Sequence, residues 1–203
     1  MFKILSDFGK GLPVIIVTDS NDRSEDLLSA LPCDISGMRV IVLKYSTAID
    51  MLDIFSEAQR FYGELCGLAL RKAVFIGIGG GGALVLGLAA MYRDFPRKIL
   101  FIECGGPKAS FEIHRGLSSL IPYAHLVHCP CMALTFKDTP RASKKFSKIL
   151  AQALPVCWIN EMDLKIQDIN LQSELQNALS FFLAQRSKAS QKGGKMPGAA
   201  NLR

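Results

Sequence analysis

Residues 73–104 read AVFIGIGGGGALVLGLAAMYRDFPRKILFIEC, and the fold turns on Gly77-Ile78-Gly79-Gly80-Gly81-Gly82 in their midst. An apolar strand over Ala73–Ile76 enters a helix over Ala83–Arg93 through a turn made almost only of glycine. Glycine is needed where φ turns positive or where backbone must pass close to backbone or ligand. In an α/β protein this is the place where phosphate-cradling loops and nucleophile elbows are both built. Val74 to Tyr92 carries no charge. Its glycines nevertheless make it strand, turn and helix rather than a bilayer span, which needs about 20 continuous apolar residues.

On either side of this segment, short runs rich in Val and Ile alternate with amphipathic stretches. Six strands are expected, at Val14–Thr18, Val40–Lys44, Val74–Ile76, Ile99–Glu103, Met132–Thr135 and Val156–Ile159. Helices are expected at Ser24–Leu31, Ile49–Leu70, Ala83–Arg93, Ala142–Leu154 and Leu171–Gln185. The alternation predicts an α/β fold of three layers, a mostly parallel sheet of about six strands with helices on both faces. Residues Gly105–His128 show no period and read as an excursion over the upper edge of the sheet.

Of the 24 Lys and Arg that oppose 18 Asp and Glu, five lie in the acid-free stretch 186–203, RSKASQKGGKMPGAANLR. The rest of the chain therefore carries only +1. We read 1–185 as one domain and 186–203 as a basic, disordered, solubilising tail. So few charges without interleaved aromatics do not predict nucleic-acid binding. The N-terminal MFKILSDFGKG lacks the pattern of a secretory signal. Six cysteines in mostly apolar segments then suggest reduced thiols in a cytoplasmic protein. His128-Cys129-Pro130-Cys131 has no second pair at zinc-like spacing, so no metal site is expected.

Ligands of parallel sheets bind beyond the carboxyl ends of the strands. That rule points to Asp19-Ser20-Asn21-Asp22, Tyr45-Ser46-Thr47, the glycine run, Glu103-Cys104, Lys137-Asp138 and Asn160–Asp163. The acids there can cap helices, bind a hard cation or shift one another's pKa values. Ser20 and Asp22 are candidate caps for the first helix. Gly77-x-Gly79-x-x-Gly82, with Glu103 21 residues beyond Gly82, also meets the conditions for a dinucleotide loop. On that reading the glycines receive the pyrophosphate of NAD(P) or FAD and Glu103 the ribose hydroxyls. Two strand–helix units precede the loop, whereas the fingerprint ordinarily opens its domain.

The same residues carry a family resemblance. VFIGIGGGGALVLGLAA resembles the strand–elbow–helix of the α/β hydrolases, whose consensus is Gly-x-Ser-x-Gly-Gly. Gly77 matches the first glycine, Gly79 stands at the serine position, and Gly81 and Gly82 match the closing pair. His128–Pro140 is similar to the family's later segment, in which a strand ends in a loop bearing the catalytic acid; Asp138 matches that acid. The family's histidine is expected near residues 160–164, which read Asn-Glu-Met-Asp-Leu. The resemblance covers roughly Pro13 to Gln185 and implies that the family's first two strands are lacking and its cap reduced. It implies a degenerate hydrolase-like protein with a binding or scaffold role, no cofactor, and a protein or small-molecule partner. The NAD(P)- or FAD-binding protein is the alternative, and a hydrolase of altered mechanism a second one. A sheet edge left open by the lacking strands would favour a homodimer.

Overall fold

The computed structural model describes residues 2–19, 22–31, 35, 37–45, 53–70, 72–104 and 119–185. Seven strands form one sheet: β1 (Phe2–Gly9), β2 (Leu12–Thr18), β3 (Met38–Tyr45), β4 (Ala73–Ile78), β5 (Pro96–Ile102), β6 (Cys131–Phe136) and β7 (Cys157–Met162). The helices are α1 (Asp22–Ala30), α2 (Ile54–Gly67), α3 (Gly81–Met91), α4 (Arg141–Ala153) and α5 (Leu171–Ala184), with a 3₁₀ turn at Ile121–Leu126. Strand order is β1-β3-β2-β4-β5-β6-β7, and every neighbouring pair but β1–β3 is parallel.

The three layers follow from residue pattern. Val14, Ile16, Val74, Ile76, Leu100 and Leu134 face α1 and α5. Ile15, Val17, Phe75, Ile99 and Phe101 face α2, α3 and α4. Alternating side chains are apolar on both faces because both faces are covered. Helix α3 is buried along Gly81–Ala90, which explains why its sequence is apolar all round instead of amphipathic.

The mostly parallel sheet of about six strands is as expected, and β1 adds a seventh strand that the sequence reading did not place. Phe2–Gly9 pairs antiparallel with β3 at the sheet edge and carries a bulge between Ile4 and Ser6. It has no clear alternation, since Ile4, Leu5 and Phe8 are exposed; what marks it as a strand is its partner. The glycines Gly9 and Gly11, both at positive φ, turn it back into β2. The first half of the excursion predicted at Gly105–His128 lies outside the described residues, as do Ser20, Ser46 and Thr47.

At the opposite, amino-terminal end of the strands, Lys98 is buried and donates to the carbonyls of Phe182, Leu183 and Gln185 at 2.5–2.7 Å. Its cation caps α5 and opposes that helix's negative end.

Candidate functional site

From β2 the chain crosses to β3 on one side, whereas from β4 it crosses to β5 on the other, so the direction of the connections reverses between β2 and β4. The carboxyl ends of β2 and β4 therefore flank the crevice where open α/β sheets place ligands. Asp19 follows β2, Gly79 and Gly80 follow β4, Glu103 follows β5, and Asp138 and Thr139 follow β6. Helix α1 brings Arg23 and Ser24 over them.

Gly79 has φ +57°, in the left-handed region. A β-carbon there would stand 2.8 Å from both Asp19 Oδ2 and Ser24 Oγ. The space above the turn is thus filled by a carboxylate and a hydroxyl. The amide of Gly80, which opens α3, donates to Asp19 Oδ2 at 2.7 Å. An exposed helix N-terminus is an anion site; here the chain's own carboxylate occupies it.

The other glycines act through close packing. A β-carbon at Gly77 would lie 2.6 Å from Gly82 Cα. One at Gly81 would overlap the carbonyl of Val17, and one at Gly82 would overlap Cys104 Sγ. Their absence lets the start of α3 settle between β2, β4 and β5.

Beside this turn, Arg23 makes a forked pair with Glu103, Nε to Oε2 at 2.5 Å and Nη2 to Oε1 at 2.7 Å. Its Nη1 reaches Asp138 Oδ2 at 3.2 Å. Thr139 Oγ1 donates to Glu103 Oε1 and accepts from the amide of Phe136 at 2.7 Å. The Glu103 side chain is 2% exposed, Arg23 23% and Asp138 31%. Bonds to Glu103 and then Asp138 hold the Arg23 guanidinium even more firmly protonated than usual. Glu103 is also one of two non-glycine residues described at positive φ, at +48°, a conformation kept only where the surroundings enforce it. Cys104 beneath it is buried, and burial, with the charges of Asp19 and Glu103, pushes its thiol well up. It is a core thiol held as S–H, whereas a reactive cysteine needs its pKa lowered.

Solved structures of similar shape include an enol-lactonase from Burkholderia xenovorans, at 14% identity and TM-score 0.63, covering 91% of this chain and 96% of that one. A meta-cleavage product hydrolase from Pseudomonas fluorescens follows at 12% identity and TM-score 0.65, over 90% of this chain and 93% of that one. An esterase from Exiguobacterium antarcticum has 12% identity and TM-score 0.64, over 91% and 96%. No protein-family model and no curated protein matches the sequence. The fold is that of the α/β hydrolases.

Within that fold, the structure brings together three acids singled out at the strand ends, Asp19, Glu103 and Asp138, around Arg23 and the Gly79–Gly80 turn. It sends Asp163 elsewhere, to an ion pair with Lys137 at 3.0 Å. Where the hydrolase reading looks for a histidine, β7 runs through Asn160-Glu161-Met162. His125 sits in the 3₁₀ turn with Nδ1 2.7 Å from the carbonyl oxygen of Pro122, and His114 lies outside the described residues. Arg23, Ser24 and Thr139 escaped the sequence reading as site residues. Arg23 did leave a signal, because a cation in the first turn of a helix opposes the helix dipole. Such a residue needs carboxylates to hold it there.

Proposed function

We propose that the chain is an α/β-hydrolase-fold protein without serine-dependent hydrolytic activity, acting as a binding or scaffold component. One observation carries this reading: the Asp19 carboxylate bonds the Gly80 amide and, with Ser24, fills the space above Gly79. Acyl transfer on this fold needs a nucleophile, a base, and a backbone donor left open for the oxyanion. Gly79 provides no nucleophile, and the nearest backbone donor faces a carboxylate that would repel a developing oxyanion. Asp138 has an arginine as partner, and a guanidinium does not accept a proton as an imidazole does.

The dinucleotide alternative has Glu103 free to take ribose hydroxyls and the Gly79–Gly80 turn free for pyrophosphate. Buried pairing with Arg23 and Thr139 opposes the first. Asp19 opposes the second, since a pyrophosphate there would meet a negative charge.

The test is hydrolysis of short-chain p-nitrophenyl esters by the wild type and by Gly79→Ser, alongside calorimetric titration with NAD⁺, NADP⁺ and FAD. No turnover by either protein and no dinucleotide binding is the expected outcome. Saturable turnover by Gly79→Ser would show that a working base is present and overturn the reading. Micromolar dinucleotide binding lost in Glu103→Ala would replace it with the alternative.

A further inference from the structure

A cleft of about 630 Å³ opens at the amino-terminal end of the strands, opposite the site above. Its walls carry the cations Lys72, Arg93 and Arg97, all exposed, with His128 beside them. Among the described residues no ion pair engages any of those three cations. Asp94 is the one acid in the lining. Its lining also includes the apolar residues Leu12, Met38, Val74 and Leu183. Like charges gathered without partners repel one another, and outside the tail the chain carries only +1. The cleft therefore gathers positive charge on a domain that is almost neutral in sum.

We propose that this cleft binds a phosphate ester, its dianionic group held between Lys72, Arg93 and Arg97 and its organic part against the apolar lining residues. Three cations with no ion pair among the described residues, set against one carboxylate, call for more than one negative charge, which a phosphate monoester brings and a single carboxylate does not. The planar guanidinium forks of Arg93 and Arg97 match phosphate oxygens in pairs. The volume is that of sites for small organic molecules, roughly 300–1,000 Å³. Lys98, spent on the α5 carbonyls, contributes background charge and no free donor. The rim includes Gln185, after which the sequence adds five basic and no acidic residues.

The same phosphate chemistry could come from a soluble metabolite or a lipid headgroup. The full chain is titrated with glycerol 3-phosphate by calorimetry and mixed with phosphatidylcholine vesicles with or without phosphatidic acid. We expect saturable one-site binding of glycerol 3-phosphate if the source is soluble, or sedimentation only with phosphatidic acid vesicles if it is a headgroup. In either case Arg93→Ala and Arg97→Ala each weaken binding about tenfold or more, the loss of one charge-assisted contact. Lys145→Ala, on the exposed face of α4, leaves it unchanged. Binding to neither probe overturns the proposal. So does binding weakened equally by Lys145→Ala, or tight binding of heparin or duplex DNA without saturation by either phosphate probe. All three substitutions lie at exposed positions, so circular dichroism and thermal melts of the variants should match those of the wild type.

Discussion

Single residues set the geometry of the strand-end crevice, and the glycines do so by what they lack. Gly82→Ala places a methyl against Cys104 Sγ. Overpacking of this kind costs about 1–3 kcal/mol. Because the obstacle is the sulfur of one side chain, Cys104→Ala in the same chain should recover much of the loss. Gly81→Ala meets the Val17 carbonyl instead, a backbone atom that no substitution removes, so its loss should not be recoverable. Urea unfolding of the two single variants and the Gly82→Ala/Cys104→Ala double variant checks both expectations. Gly79→Ser belongs to the same class with a different obstacle. Its β-carbon meets Asp19 and Ser24 at an already positive φ, so it should destabilise by roughly 1–3 kcal/mol. Asp19→Ala should return part of that.

At the scale of an element, α5 depends on a side chain far from it in sequence. Lys98 of β5 donates to three carbonyls at the last turn of α5. Hydrogen bonds to charged groups contribute about 1.5–3 kcal/mol, and leaving buried acceptors unmade costs a similar amount. Lys98→Met keeps the apolar stem and removes the ammonium. It should destabilise the fold by about 2–3 kcal/mol and speed amide exchange first over the last turn of α5, as measured by hydrogen exchange with mass spectrometry. Uniform acceleration across the sheet would instead mean that Lys98 matters through the core and not through the cap. Arg23 plays the corresponding part for α1, tying its first turn to β5 and β6 through Glu103 and Asp138. Arg23→Met would leave Glu103 as a buried carboxylate without its counter-charge, held by the Thr139 hydroxyl alone, among the costlier defects a fold can carry.

For the whole molecule, the thiols give stability a defined alkaline limb. Burial pushes Cys104 and Cys131 well above the ordinary thiol value and Cys157 up to about 12. A group whose pKa is raised by folding contributes stability that is complete below the unfolded value, near 9, and is lost as pH climbs through the folded one. Buried Tyr45, raised by desolvation and then by the charge of Glu57, acts in the same sense from about pH 10. The unfolding free energy should therefore fall from about pH 9 upward, by at most about 1.4 kcal/mol per pH unit for each of these thiols, and by less for the half-buried Cys157. Urea midpoints across that range check it, and Cys157→Ser should flatten the slope. A flat profile between pH 9 and 11 would mean that these thiols are solvated in the native state.

The layered α/β architecture was legible in the chain because two-sided burial writes itself into sequence as continuous Val/Ile runs between helical patterns. The strand–glycine–helix turn was legible because its backbone tolerates almost nothing else, and the strand-end rule led directly to Asp19, Glu103 and Asp138. The edge strand β1 was not legible. An exposed strand bulged at Ile4–Ser6 has no buried face to impose a period of two, and pairing with β3 is what makes it a strand. Nor could the sequence say that the Gly80 amide is met by Asp19, 61 residues earlier, or that Glu103 is locked by Arg23, 80 residues before it. Local preference is encoded residue by residue. Which charge faces which amide depends on how the crossovers lay β2 beside β4 and β5 beside β6, and only the tertiary fold decides that.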